Sequence, residues 1–401
     1  MKITALVSLA VAVLAITEAN PINRRPHPNS NGHEVQLTRN PNFKHNTRAQ
    51  INKLNKRYPG LKILATATGG STGSVPLTDV DPDLEYYGSV SVGTPAQVFK
   101  LDFDTGSSDI WFPSSTCTTT ACKAHNRFNS GASSTYQKDG RSWSISYGDG
   151  SSASGILGSD IVNVGGISVR QTIGLATKES SQFGSSPEDG LFGLGFDNIE
   201  SVSGVKTFMD NAISAGALAQ PVVSVFLPSI RRNGGVGGSY LFGGIDSTKY
   251  SGSLTYVPVT QKGYWQILVQ DASFNGVSLG QTSQGIVDTG TTLIIVGNAA
   301  AKAIHKKIPG SVNDPYNGWL VPCSVKSSTA NVGFKLGGTT FNVPVADLAY
   351  EDLGDGSGNC FSGIQGGQDG LWILGDVFIK NNYCVFSQTS SPSIGIAPLK
   401  Y

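Results

Sequence analysis

Apolar positions along most of the chain fall in short runs of Val, Ile, Thr and aromatic residues broken by glycine. That pattern favours strands joined by turns over helices. Helical spacing stands out in two places. Val205, Phe208, Met209, Ala212 and Ile213 recur at helical intervals, as do the apolar positions of Ala299 to Ile308, with Pro309-Gly310 as the stop. Both read as plain structural helices. The longest apolar stretch lies at the start: Lys2 precedes Ile3 to Ile16, interrupted only by Thr4 and Ser8, and Thr17-Glu18-Ala19 ends on a small residue. Fourteen residues are short for a membrane span, so residues 1–19 read as a cleaved secretory signal.

The length of 401 residues allows two or three domains, or one large two-lobed unit. Only 14% of residues are charged, and they are unevenly split. Between Asn20 and Gly69 nine Lys and Arg stand against Glu34 alone, a balance of +8, whereas the chain from Gly70 onward carries −7. A basic arm alone would suit nucleic acid or a membrane surface. Ahead of an oppositely charged body in a chain with a secretory signal, it reads instead as a removable segment lying on that body. Thr66 to Ser74 is a small-residue linker and the expected processing region.

Secretion favours disulfides. Of five cysteines, Cys117 and Cys122 are close enough to close a short loop, and Cys323 and Cys360 would close a long one. By loop entropy these are worth about 2 and about 4 kcal/mol. Cys384 is left over in the apolar run Tyr383 to Phe386 and reads as a buried, inert thiol. With no Asn-x-Ser/Thr acceptor, N-glycosylation is not expected.

The body contains an internal echo. Leu101-Asp102-Phe103-Asp104-Thr105-Gly106-Ser107-Ser108 returns as Gly285-Ile286-Val287-Asp288-Thr289-Gly290-Thr291-Thr292. Two apolar residues and a glycine follow in each half: Gly193 of Leu191-Phe192-Gly193 lies 89 residues after Asp104, and Gly375 of Ile373-Leu374-Gly375 lies 87 after Asp288. Two shared features at nearly one interval point to two similarly folded lobes, taken as 70–260 and 261–401. In each loop the glycine lets the backbone turn tightly and offers its N–H to the carboxylate, while Ser107 or Thr291 can reach the outer oxygen. Two carboxyls brought within a few ångströms cannot both ionise cheaply, so they share a proton. One can then take a proton from water while the other donates to a peptide carbonyl. Neither metal nor cofactor is needed.

Four motifs together carry a resemblance. They are Asp104-Thr105-Gly106-Ser107-Ser108 with Trp111, Tyr147-Gly148-Asp149-Gly150, Asp288-Thr289-Gly290-Thr291-Thr292, and Trp372-Ile373-Leu374-Gly375-Asp376. From about Asn40 to Tyr401 the chain resembles the pepsin family of aspartic peptidases, and within it the fungal rhizopuspepsin branch. The resemblance implies a mainly β, bilobal pepsin-like acid protease fold, with Asp104 and Asp288 catalytic in the cleft between two similar β lobes. It places Tyr147 on a hairpin flap with Trp111 bonded to its hydroxyl, and Thr105 and Thr289 hydrogen-bonded beneath the carboxyls. Gly106, Gly148, Gly290 and Thr291, with Thr292, would bind substrate backbone. Phe183 would wall the pocket for the residue before the cut, and Asp149 would admit Lys there beside large apolar residues. In the basic propeptide, 20–69, relatives carry Lys-Tyr where this chain has Arg57-Tyr58, with Lys56 just before. Either cation could block the carboxyls. The implied protein is a secreted, extracellular, monomeric acid endopeptidase made as a zymogen. Its partners would be protein and peptide substrates and its own propeptide, not nucleic acid or membrane; an acidic vacuole is the less favoured destination.

Rival readings fare worse. Gly69-Gly70-Ser71-Thr72-Gly73 fits the serine-hydrolase pattern Gly-x-Ser-x-Gly but lies in the linker, and only His125 and His305 remain in the body as bases. No His-Glu-x-x-His zinc motif occurs. A secreted binding protein that keeps the fold without the chemistry would be expected to have lost an Asp or Tyr147.

Overall fold

The computed structural model describes residues 86–147, 151–227, 229–233, 238–367 and 370–400, with the backbone of 33–36. The expected signal, the linker, Lys56, Arg57, Gly148 and Asp149 lie outside the described residues.

The sequence echo is a repeat of strand wiring. In the first half, strand Gln97–Asp104 runs parallel to Gly190–Gly193, with Asp104 opposite Gly193. Gly190–Gly193 is antiparallel to Ile110–Pro113, which runs parallel to Ile167–Glu179. In the second half, Ser283–Val287 runs parallel to Leu371–Leu374. That strand is antiparallel to Ile294–Gly297, which in turn runs parallel to Ile364–Gly367. The strand before each Asp-Thr-Gly loop and the strand after it therefore flank the apolar-apolar-Gly strand of the same half. The strands after the loops, Ile110–Pro113 and Ile294–Gly297, are wholly buried and read as apolar runs without alternation, whereas Gln97–Asp104 before the first loop alternates buried and exposed positions.

A seven-stranded sheet extends the first unit and an eight-stranded sheet the second. A further six-stranded sheet takes strands from both halves: His33–Gln36, Ser239–Phe242, Val222–Phe226, Asn382–Ser387, Ser393–Pro398 and Thr255–Pro258, in that order. Its edge strand comes from the basic segment, with Val35 opposite Tyr240. The molecule is thus bilobal and mainly β.

Both expected helices form, with shifted ends. Thr207 and Asp210 make a reciprocal capping box, so the first helix is Phe208–Ser214; Val205 is buried ahead of it in a turn. The second is Asn298–His305. Its last turn tightens into bonds from Lys307 N–H to Ile304 O and from Ile308 N–H to His305 O, so the α-helix ends before Pro309. Cys117–Cys122 and Cys323–Cys360 are disulfides, and Cys384 is a buried free thiol whose surroundings push its ionisation well up.

The first loop rests on an aromatic cluster. Phe103 lies 4.9 Å from both Phe192 and Tyr240 and 6.0 Å from Phe242, and Phe208 packs on Phe192 at 5.1 Å. The two echoed glycines are required for space. A Cβ on Gly193 would sit 2.2 Å from the Ser108 carbonyl carbon, and one on Gly375 2.1 Å from Thr291 O. Both obstructions are backbone of the Asp-Thr-Gly loops themselves, which cannot swing aside as a side chain could. Gly193→Ala and Gly375→Ala are each expected to lose about 3 kcal/mol or more of stability. Gly131→Ala, whose Cβ meets only Asn129 Oδ1 at 3.4 Å, should change it by about 0.5 kcal/mol or less. Urea unfolding of the three variants checks this, and equal losses would refute it.

Candidate active site

Asp104 ends its strand fully buried. Its Oδ1 accepts the Gly106 N–H at 2.8 Å and its Oδ2 the Ser107 hydroxyl. Asp288 repeats the cradle: Oδ1 accepts the Gly290 N–H at 3.0 Å and Oδ2 the Thr291 hydroxyl. The chain reversal after each strand thus supplies both bonds locally, from residues two and three positions on.

The two loops are then locked to each other by four crossed hydrogen bonds. Thr105 N–H donates to Thr289 Oγ1 and Thr289 N–H to Thr105 Oγ1, each at 3.0 Å. The Thr105 hydroxyl donates to Val287 O at 2.9 Å and the Thr289 hydroxyl to Phe103 O at 2.6 Å. Those carbonyls belong to the residues directly before Asp288 and Asp104. Each carboxylate is therefore positioned by a side chain from the opposite half. Thr292 is buried, and its carbonyl accepts the Val377 N–H, which ties the second loop to the short helix Asp376–Ile379.

Tyr147, Trp111 and Phe183 come together beside the first loop. The Trp111 indole N–H donates to the Tyr147 hydroxyl at 2.5 Å, and Phe183 meets both rings edge-on at 5.0 and 5.9 Å. Behind them stands a layer that motif reading missed. Trp143 lies 5.8 Å from Trp111 and donates its indole N–H to Asp109 Oδ1 at 2.7 Å. Asp109 Oδ2 accepts the N–H and hydroxyl of Ser201. The strand Gln137–Ser146, which leads straight into Tyr147, is anchored there. The only sequence signal was a charged residue, Asp109, between Ser108 and the apolar run Ile110-Trp111-Phe112.

The sequence profile of eukaryotic aspartyl proteases matches residues 85–399. The chain is 44% identical to rhizopuspepsin-2 of Rhizopus niveus over 100% of both chains, and 43% identical to rhizopuspepsin of Rhizopus chinensis, again over 100% of both. It is 42% identical to pepsin A of Callithrix jacchus over 79% of this chain and 81% of that one. The chain belongs to the eukaryotic aspartyl protease family. It is an aspartic endopeptidase with the bilobal pepsin-like β fold.

Within this family member the two described histidines of the body, His125 and His305, are engaged elsewhere. His305 is 1% exposed, stacked on Trp319 at 4.3 Å, and held between Ala301 O and Ser362 Oγ. Burial lowers its pKa to about 4. Ser362 is itself fully buried, so this Ser–His contact is closed to substrate. His125 is occupied by Ser186 O at 3.1 Å and Glu179 at 3.8 Å. Among the described residues the one compact group of potential metal ligands is Cys323, Asp352 and Cys360, and its two sulfurs are bonded to each other. No helix among the described residues is long and apolar enough to cross a membrane.

The acidic layer behind Tyr147 carries a pH dependence. Burial, followed by the charges of Asp109, Asp210 and Asp197, pushes Glu200 up to about 9. The unfolded chain would release this proton near 4.5, so the group's contribution to stability is whole below that pH and is lost progressively as pH rises toward 9. Glu200→Gln removes the titration while keeping the shape. Its Tm is expected to exceed that of the parent at pH 8 by about 2–8 °C and to match it near pH 4. Thermal melts at the two pH values decide; an equal offset at both would contradict the burial argument.

Proposed function

We propose that Asp104 and Asp288 form the catalytic pair of a secreted acid endopeptidase. The observation that carries this reading is the equivalent cradling of the two carboxyls together with the crossed Thr105–Thr289 bonds that hold their loops side by side. Sharing one proton, the ionised partner takes a proton from water and the protonated partner donates to the substrate carbonyl, then to the leaving amine. Tyr147, held by Trp111, sits on a hairpin flap that closes over an extended peptide. Gly106, Gly148, Gly290, Thr291 and Thr292 offer hydrogen bonds to its backbone, and Phe183 lines the pocket for a large apolar residue before the cut. Asp149 adds tolerance for Lys in that pocket. The chain divides into a signal at 1–19, a propeptide at 20–69 and lobes at 70–260 and 261–401. It is exported as a monomeric zymogen in which Lys56 or Arg57 covers the carboxyls.

The zymogen reading draws support from two properties of the arm. Its charge of +8 opposes the −7 of the body, and residues His33–Gln36 pair with Ser239–Phe242 in the sheet shared by the two halves. Acid protonates carboxylates and so weakens the charge attraction, whereas backbone hydrogen bonds do not titrate in this range. Release of the arm would then begin at its charged part and need chain cleavage to complete.

Two experiments test this reading. Acid-treated protein should cleave denatured haemoglobin with an acid optimum and be blocked by pepstatin, and Asp104→Asn or Asp288→Asn should lower kcat by about 10³-fold or more. Absence of cleavage at any pH after confirmed removal of the arm would favour a binding protein instead. For specificity, Asp149→Ala should reduce kcat/KM on a Lys substrate about tenfold or more while sparing a Phe substrate. Equal losses on both would reject the role given to Asp149.

A further inference from the structure

The two Asp-Thr-Gly loops share the carboxylate cradle and the crossed threonine bonds, but the carbonyls before the two Asp residues are bonded differently. Val287 O, before Asp288, takes one side-chain donor among the described residues, the Thr105 hydroxyl. Phe103 O, before Asp104, takes two: the Thr289 hydroxyl at 2.6 Å and the Tyr240 hydroxyl at 3.0 Å. Tyr240 is 1% exposed and its ring stacks on Phe103 at 4.9 Å, in a cluster whose other members, Phe192, Phe208 and Phe242, are phenylalanines. Phenylalanine would fill the same place without a hydroxyl to desolvate, and an unbonded buried hydroxyl is costly. The hydroxyl donates to a carbonyl a single peptide away from Asp104, beside the Thr289 hydroxyl that also acts on it. Its own backbone is fixed by the shared sheet, with Val225 opposite on one side and Val35 on the other.

We propose that Tyr240 is a positioning residue for Asp104, whose hydroxyl fixes the Phe103–Asp104 peptide on that side of the pair. It touches neither substrate nor carboxylate and acts through Phe103 O and the Thr289 hydroxyl bonded to it. The acidic groups whose charges act on its hydroxyl are Asp102, Asp376 and Asp104. This inference rests on the catalytic reading of Asp104 and Asp288. With the hydroxyl gone, Phe103 O keeps only Thr289, the peptide gains freedom, and the ionised form of Asp104 loses part of its ordered surroundings. The lost bond should act on turnover more than on substrate binding.

The test compares the activated parent, Tyr240→Phe and Phe242→Leu, reading kcat, KM, the pH profile of kcat/KM and Tm. Tyr240→Phe is expected to lower kcat about 3–10-fold with KM within about twofold. Its acid limb should move up by a few tenths of a pH unit, since a carboxylate with fewer ordered donors around it titrates higher. Phe242→Leu loosens the same cluster but keeps the hydroxyl, so it should lower Tm and leave the acid limb in place. Parental kcat and acid limb in a folded Tyr240→Phe would overturn the proposal. So would the same limb shift in Phe242→Leu, which would make the effect one of packing. Failure of Tyr240→Phe to fold where the parent is active would make the hydroxyl a fold-holding bond and overturn it as well. A parent that is inactive, or that Asp104→Asn leaves unchanged, would overturn the catalytic reading itself, and the present inference with it.

Discussion

Everything at the centre of this molecule depends on two threonine hydroxyls that cross from one half to the other. Thr105 and Thr289 each accept the other's N–H and donate to the carbonyl before the other's Asp. Serine could supply the same donor, but threonine's second branch narrows its χ1 choice, so the hydroxyl is pre-aimed. Because the four bonds are buried and mutual, breaking one leaves another polar group unpaired, and the set behaves as a unit. It also explains the glycines. Gly193 and Gly375 bring backbone against backbone directly behind each loop, and only without a Cβ can the strands approach closely enough for the threonines to meet.

What could be read from the sequence divides along the range of the interactions. The cradle of each Asp was legible because its donors lie two and three residues away, within one motif. Strand content and the two-lobed repeat were legible because Gly193 and Gly375 recur at nearly equal distances from the loops. Helix existence was legible from spacing, but not helix ends, which a capping box and a tightened final turn decide. The layer of Asp109, Trp143 and Ser201 was not legible: its bonds join residues 34 and 92 positions apart, and nothing local marks which buried carboxylate meets which indole. Tyr240 is a stronger case. Its ring belongs to an ordinary apolar strand pattern, and its hydroxyl acquires meaning only when residues 137 positions apart are brought together.

The ionisable groups buried around this frame favour acid. The fold keeps Glu200 protonated to about pH 9. Burial alone would lower the pKa of His125, yet Glu179, the Ser186 carbonyl and Asp189 more than offset it and hold the imidazole above its ordinary value. A group whose folded pKa is raised stabilises fully below its unfolded value and loses that contribution as pH climbs. Both therefore weaken the fold in the same direction, toward alkali. Asp347 works the other way. Burial alone would raise its pKa, but Arg231 at 2.6 Å, with Lys380 and Arg232, holds it below the ordinary carboxylate value. Its contribution is present above about 3.8 and is lost as pH falls through the lower folded value. This ion pair joins the short helix Ile230–Asn233 to the short 3-10 helix Val345–Leu348. A chain that must work in acid can accept the first kind of group freely, since acid only reinforces it. The second kind it can accept where a cation lowers the carboxyl's pKa, and the Arg231 contact on a 3% exposed carboxylate acts in that direction.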